Sequence, residues 1–367
     1  MFNKWFCFIV IFIVISCSDQ QEIDKNFYES PYIKTNLSLN KIDEFTLHGS
    51  DTLDIAAPNY RFASNHDQSR FAFFDVMLNR FLVTDKKGKI LQTIGSKGRG
   101  PREFQMVYTY NYDNRNNLIA YDQVQRLMKI FDPKGNLKES FKIDDERFTI
   151  SGKMLYARNN KIYVGIRENK YSPISNPDLL SAWKSKYFAS FTYNGDSVRL
   201  FGKSDPFLKY SKSSYDRTVF TAEFSDNKLY AAHENSYRIQ SYDVNTLQRL
   251  SYFGHQSKNF GLLKEEIPIN LSRNERFKRR LDESGTELIY TTKDYILFFF
   301  INISMEWLKT KKLDTLDYYC VVYDKKSHAF LDEIKLPYRL GLVAGNKLYF
   351  TENENPANYT IGVYEIN

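Results

Sequence analysis

Met128-Lys129-Ile130-Phe131-Asp132, followed by Pro133-Lys134-Gly135, is a short strand-like run that ends in an aromatic–acidic pair and then a turn. The short Asp side chain suits such a turn by accepting from its amides, and Gly135 supplies the positive φ that a tight hairpin requires. The same phrase recurs along the chain. It is Phe81-Leu82-Val83-Thr84-Asp85 before Lys86-Lys87-Gly88, and Ala189-Ser190-Phe191-Thr192-Tyr193-Asn194 before Gly195. It returns as Ile239-Gln240-Ser241-Tyr242-Asp243 before Val244-Asn245-Thr246, and as Cys320-Val321-Val322-Tyr323-Asp324 before Lys325-Lys326-Ser327. A hairpin repeated at this spacing marks a repeat architecture rather than a string of unrelated domains.

Working outward, each hairpin is followed by a further alternating run, at residues 89–95, 136–143, 197–202, 247–254 and 328–336. Upstream of the hairpins an Asn or Asp opens an apolar strand, as in Asn117-Leu118-Ile119-Ala120-Tyr121-Asp122, Asn160-Lys161-Ile162-Tyr163-Val164 and Asn227-Lys228-Leu229-Tyr230-Ala231. Asp294-Tyr295-Ile296-Leu297-Phe298 and Asn346-Lys347-Leu348-Tyr349-Phe350 continue the series, with Arg70-Phe71-Ala72-Phe73-Phe74-Asp75 in the first repeat. With an innermost strand ahead of each, the unit is four antiparallel strands, the blade of a β-propeller. Aromatic richness agrees: 27 Tyr and 29 Phe against 6 Met favour pleated, half-buried surfaces.

The two ends of the chain predict closure. The last unit stops after Tyr359-Thr360-Ile361-Gly362-Val363-Tyr364-Glu365, where an outer strand is due, while Asp43-Glu44-Phe45-Thr46-Leu47-His48-Gly49 is an alternating strand with no unit of its own. Pairing a strand at about 42–48 with the C-terminal blade completes a sixth blade and removes exposed sheet edges. The expected fold is all-β, a six-bladed β-propeller over 41–367.

Gly95-Ser96-Lys97-Gly98-Arg99-Gly100-Pro101-Arg102-Glu103-Phe104, then Leu118 to Asp122, then Ile130-Phe131-Asp132-Pro133-Lys134-Gly135, resembles an NHL repeat. The match is close from about 95 to 143, and the other units keep the hairpin without the glycine loop. The whole resembles divergent NHL/TolB-like six-bladed propeller lipoproteins of Gram-negative bacteria. That resemblance implies a place in the cell envelope, lipid-anchored at the outer membrane, and says little about chemistry.

The N-terminus carries the same expectation independently. Lys4 precedes an apolar run, residues 6–15, that has the length of a signal-peptide core and is short for a bilayer span. It ends in Val14-Ile15-Ser16-Cys17, which resembles a lipobox, so residues 1–16 are expected to be a signal peptide and Cys17 the lipidated first residue. Several acyl chains on one cysteine suffice for stable membrane anchoring where one is marginal. The polar stretch 17–40 is expected to be a tether. Cys320 is the only cysteine past Cys17, which excludes a disulfide framework and a cysteine metal site in the body. The 51 basic residues are interspersed with 44 acidic ones, so the formal charge of +7 describes a mixed surface and points to no nucleic acid.

Residues 168–186, 204–216, 255–284 and 302–317 are the long connections, and all fall where a four-strand blade has its second-to-third and blade-to-blade loops. They therefore gather at one end of the ring, where a protein, peptide or glycan partner is expected, with Trp183 and Trp307 as aromatic anchors. Arg167 and His233 end second strands at the same end and are further candidates for ligand contact. The leading expectation is a non-enzymatic binding or scaffold module without a cofactor. The alternative is a channel lyase or lactonase holding one divalent cation such as calcium, with Asp75, Asp122, Glu234 and Glu352 as hard oxygen ligands. No Gly-x-Ser-x-Gly elbow or His-Glu-x-x-His pair is present, which removes serine-hydrolase and zincin readings.

Overall fold

The computed structural model describes residues 27–48, 55–171, 185–203, 205, 220–234, 236–262, 272, 275, 278, 281, 283–310, 312 and 315–367. Two strands, β1 (Tyr28–Glu29) and β2 (Leu39–Thr46), precede the first complete blade. Blade 1 is β3 to β6 (Pro58–Ser64, Arg70–Asp75, Arg80–Asp85, Ile90–Ile94), and blade 2 is β7 to β10 (Val107–Tyr112, Leu118–Asp122, Leu127–Phe131, Leu137–Lys142). Blade 3 is β11 to β14 (Phe148–Arg158, Lys161–Glu168, Phe188–Thr192, Arg199–Phe201), and blade 4 is β15 to β18 (Phe220–Ser225, Lys228–His233, Ile239–Asp243, Arg249–Gly254). Blade 5 is β19 to β22 (Ser284–Thr291, Tyr295–Asn302, Asp317–Asp324, Phe330–Leu336), and blade 6 has β23 to β25 (Arg339–Ala344, Lys347–Asn353, Thr360–Ile366). The outermost strand of blade 6 is β2, so the sheet order is β2-β25-β24-β23 and the six-bladed ring is closed by its two ends.

The closing strand lies a little earlier than the sequence suggests, at 39–46 rather than 42–48. It pairs antiparallel with β25, Phe45 opposite Ile361 and Glu44 opposite Gly362. A shift in register between Lys41 and Asp43 leaves Ile42 outside the ladder and exposed. Phe45 then stacks on Phe71 of blade 1, ring centroids 5.6 Å apart. This seam between first and last blades is packed with Leu47, Phe62, Phe73, Tyr349, Tyr359 and Ile361.

Within the stretch 17–40 expected as a tether, residues from Tyr28 on are bound to the ring. Ser30 donates to the Gly254 carbonyl at 2.8 Å, Ile33 to Phe330 at 2.9 Å, and the Leu37 amide to Asp332 Oδ2 at 3.0 Å. Ser38 and Asn367 exchange backbone bonds at 2.9 and 3.0 Å. The segment thus crosses the rims of blades 4 and 5 before entering blade 6, satisfying edge groups that would otherwise be open for pairing. Tyr28 and Tyr32 hold it by ring contacts: Tyr28 stacks on Phe253 at 5.9 Å and Tyr32 on His255 at 6.2 Å.

The hairpin code reads as expected. Asp132 Oδ1 accepts from Lys134 and Asn136 at 2.9 and 2.8 Å, Asp85 does the same for Lys87 and Lys89, and Gly88 and Gly135 take positive φ. The glycine loop after β6 is a blade joint. Gly95 has φ +85°, and a Cβ there would stand 2.4 Å from the Phe104 ring, which is buried between blades 1 and 2.

Removing residues 39–46 should open the ring at its seam and lower the melting temperature by roughly 10 °C or more, several kcal/mol at the few degrees each is worth in a chain of this size. Ile42→Lys, at the exposed bulge, should leave it unchanged. Thermal denaturation followed by circular dichroism checks both, and equal melting of the deletion and the intact chain would refute closure.

Candidate functional site

The six innermost strands, β3, β7, β11, β15, β19 and β23, surround a cavity of about 960 Å³ on the ring axis. Its volume lies in the range of small-molecule sites. The mouth is framed by the turns from first to second strands, with Asn65 and His66, Asn114, Asn159 and Gly345 among the lining residues. Strand order puts those turns at the end of the ring opposite the long connections, so the cavity reaches the end away from the face on which the sequence places the partner.

Deep in the cavity, Tyr60 and Arg61 of β3 meet Arg339 of β23 and Glu287 of β19. The Arg339 guanidinium lies over the Tyr60 ring, 3.3 Å from its centroid, a cation–π contact. Glu287 Oε2 is 3.8 Å from Arg61 Nη2 and 3.9 Å from Arg339 Nη2, and it accepts from the Tyr60 hydroxyl at 3.4 Å. Arg61 Nη2 also donates to the Glu287 carbonyl at 2.9 Å, and the Tyr110 hydroxyl donates to the Arg61 carbonyl at 2.6 Å.

Nearer the mouth, Glu223 of β15 accepts a hydrogen bond from the Tyr156 hydroxyl of β11. Burial pushes the Glu223 carboxyl up to about 8, against the opposing pull of the Tyr156 hydrogen bond and the Lys325 charge. At neutral pH this group is mainly a neutral acid that can donate as well as accept. Burial also pushes the Tyr156, Tyr110 and Tyr290 phenols well up, so they act as hydroxyls and not as phenolates. The wall is therefore aromatic, studded with hydroxyl, amide and guanidinium donors, and carries few ionised acids.

The carboxylates considered for calcium do not assemble. Asp75 is buried and spent on the amides of Ala56, Ala57, Met77 and Leu78, at 3.0, 3.2, 3.2 and 3.3 Å. Asp122 accepts from Gln105 at 2.6 Å and from Val124 and Gln125 at 3.0 Å each. Both staple the end of a second strand to the connection entering their blade, which is structural work for a strand-ending Asp. Glu352 turns outward to Lys41 Nζ, 2.8 Å away, and to the Tyr364 hydroxyl at 2.7 Å. Glu234 lies past the end of β16, where its carbonyl accepts from Thr286 at 2.5 Å. Among the described residues no group of three or more His, Cys, Asp or Glu side chains is placed to hold a metal ion.

The other candidates are dispersed as well. Trp183 lies outside the described residues, as does much of the insertion-bearing end. Trp307 sits on the short helix α1 (Met305–Thr310), half-buried against the packed core of blades 5 and 6. His233 is buried within blade 4, edge-on to Tyr187 at 6.2 Å, and Arg167 pairs across blade 3 with Thr149. Trp307, His233 and Arg167 are not among the described residues that line the cavity. Those that do were overlooked in the sequence because they stand on innermost strands, whose only signal is polar and aromatic residues where pure packing would want aliphatics: Tyr108-Thr109-Tyr110-Asn111-Tyr112, Glu223 and Arg339.

No protein-family profile matches the sequence, and no curated protein matches it either. Solved structures resemble it in fold. A member of the DUF4221 family from Bacteroides vulgatus superposes with a TM-score of 0.74 at 11% identity, over 91% of this chain and 99% of that one. A protein of Bacteroides fragilis described only as exported gives 0.56 at 12% identity, over 93% and 98%. A gluconolactonase of Xanthomonas campestris reaches 0.48 at 11% identity, over 91% and 99%, which carries no argument about chemistry. The two Bacteroides likenesses support the propeller and leave activity open.

The Glu223 environment has a consequence for stability. Its ordinary value is 4.5 and its folded value about 8, so the unfolded chain releases a proton that the folded chain keeps. Stability contributed by the neutral carboxyl is fully present below about pH 4.5 and is lost as pH rises toward 8. Glu223→Gln retains a neutral side chain, so its melting temperature should decline less than that of the parent between pH 5 and 8. Parallel curves for the two proteins would show that Glu223 is ionised throughout.

Proposed function

We propose that this chain is an envelope-anchored lipoprotein whose propeller is a non-enzymatic binding module, holding a small polar ligand, a glycan or peptide end, in its central channel. The cavity of about 960 Å³ carries this reading, being lined by Tyr, Asn and Arg side chains. Tyrosine rings offer apolar faces and hydroxyl edges together, the combination by which sugar rings and peptide groups are held. The spent carboxylates Asp75 and Asp122 weigh against the lyase or lactonase alternative, since both oxygens of each already accept from backbone amides.

Anchoring rests on Cys17 at the end of its short apolar run. An exported propeller of similar fold accords with a place outside the cytoplasm. The strap over blades 4 and 5 leaves residues 17–26 between the acylated cysteine and the ring, a reach of at most about 35 Å when extended. The propeller would then stand close to its membrane.

Two measurements test the proposal. Labelled fatty acid should enter the parent chain and not Cys17→Ala, and equal labelling would remove the anchor. Among glycans and peptides screened by thermal shift, binders should lose their effect on Asn111→Trp, which puts an indole into the cavity, while that variant keeps its circular dichroism. Binders that are indifferent to the plug would move the site elsewhere.

A further inference from the structure

The floor of the channel is cationic and incompletely paired. Two guanidiniums, Arg61 and Arg339, share one carboxylate, and its oxygen stands 3.8 and 3.9 Å from them, beyond hydrogen-bond length. The Nε atoms of both arginines are buried and have no hydrogen-bond partner among the described residues. A guanidinium carries five donors, and a buried N–H left unmade is costly. The other acids lining the cavity do not offset this. Glu223 is near the mouth, and Asp113 is committed to the amides of Arg115 and Asn117, each at 2.8 Å, and to the Tyr193 hydroxyl at 3.0 Å. Arg158 adds another cation to the lining.

We infer that the channel floor is an oxyanion site, in which Arg61 and Arg339 receive a carboxylate or phosphate group of the ligand. This deepens the channel reading proposed above and rests on it. Planar guanidiniums match planar or tetrahedral oxyanions by paired hydrogen bonds, which a lysine cannot do. The stack of Arg339 on Tyr60 fixes one fork in place, and the Glu287 carbonyl fixes the other. Glu287 is the resident competitor: its carboxylate stands beyond hydrogen-bond length from both guanidiniums, so an entering anion meets donors in place at little reorganisation cost. The ligand would enter anionic end first past Tyr156 and Glu223, its neutral body lying against the tyrosines.

Isothermal titration with three probes of similar size tests this: D-glucuronate, glucose 6-phosphate and D-glucose. The parent chain should bind at least one charged probe about tenfold or more tightly than glucose, the scale of a charged hydrogen bond. Which charged probe binds identifies carboxylate or phosphate. Arg339→Gln should erase the preference. Glu287→Gln should strengthen it several-fold, a gain that a misfolded variant cannot mimic. Equal binding of glucose and the charged probes, lost in Asn111→Trp, would overturn the oxyanion site and leave the channel reading standing. Charged probes that bind equally to Asn111→Trp would overturn both, and their failure to bind either the parent or Glu287→Gln would overturn the oxyanion site.

Discussion

The ring depends on one pairing, β2 against β25. Every other blade has four consecutive strands that would form from local hairpins, blade 4 adding β1 at its edge, but blade 6 has only three of its own, and its fourth comes from the other end of the chain. Until Phe45 lies opposite Ile361 and beside Phe71, blades 1 and 6 have an open flank between them. Such a contact spans more than three hundred residues, so the loop entropy of closing it must be met by the seam packing that follows. The strap across blades 4 and 5 runs into β2 without a break and restricts where that strand can go.

Closure is also what creates the site. An open arc of blades would expose its innermost strands to bulk water, where Arg61, Arg339 and Glu287 would be ordinary solvated charges. Ringed by six strands, the same groups share a confined space in which desolvation raises Glu223 to about 8 and in which unpaired donors become costly. The polar chemistry of the channel is thus a property of the ring and of no single blade. Its mouth is framed where the turns are short, and at the insertion-bearing end Val76, Met77, Met106 and Val124 are exposed on blades 1 and 2.

Fold was legible in the sequence because hairpin chemistry is local. Asp132 with Gly135 and Asp85 with Gly88 announce a turn whatever surrounds them, and the missing strand after Glu365 could be matched with the unpaired one near Phe45 by counting. The site was not legible for the opposite reason. Arg61, Glu223, Glu287 and Arg339 come from four different blades, and nothing in their spacing tells that they share an axis. Asp75 and Asp122 drew attention because they repeat, yet repetition here reflects a repeated structural task, the stapling of second strands to the connection that enters each blade. The attachment of Tyr28 to Ser38 was not legible because they have no alternating pattern; they bind through scattered backbone bonds and two ring stacks, which leave little trace in composition.

At the channel floor, a closed ring should present two fixed guanidiniums to an oxyanion. Crystals soaked in selenate and measured at the selenium edge address this directly. An anomalous peak within hydrogen-bond distance of both Arg61 and Arg339 is the predicted result. A floor without selenium in a crystal that binds selenate elsewhere, or a map in which blades 1 and 6 do not meet, would contradict it.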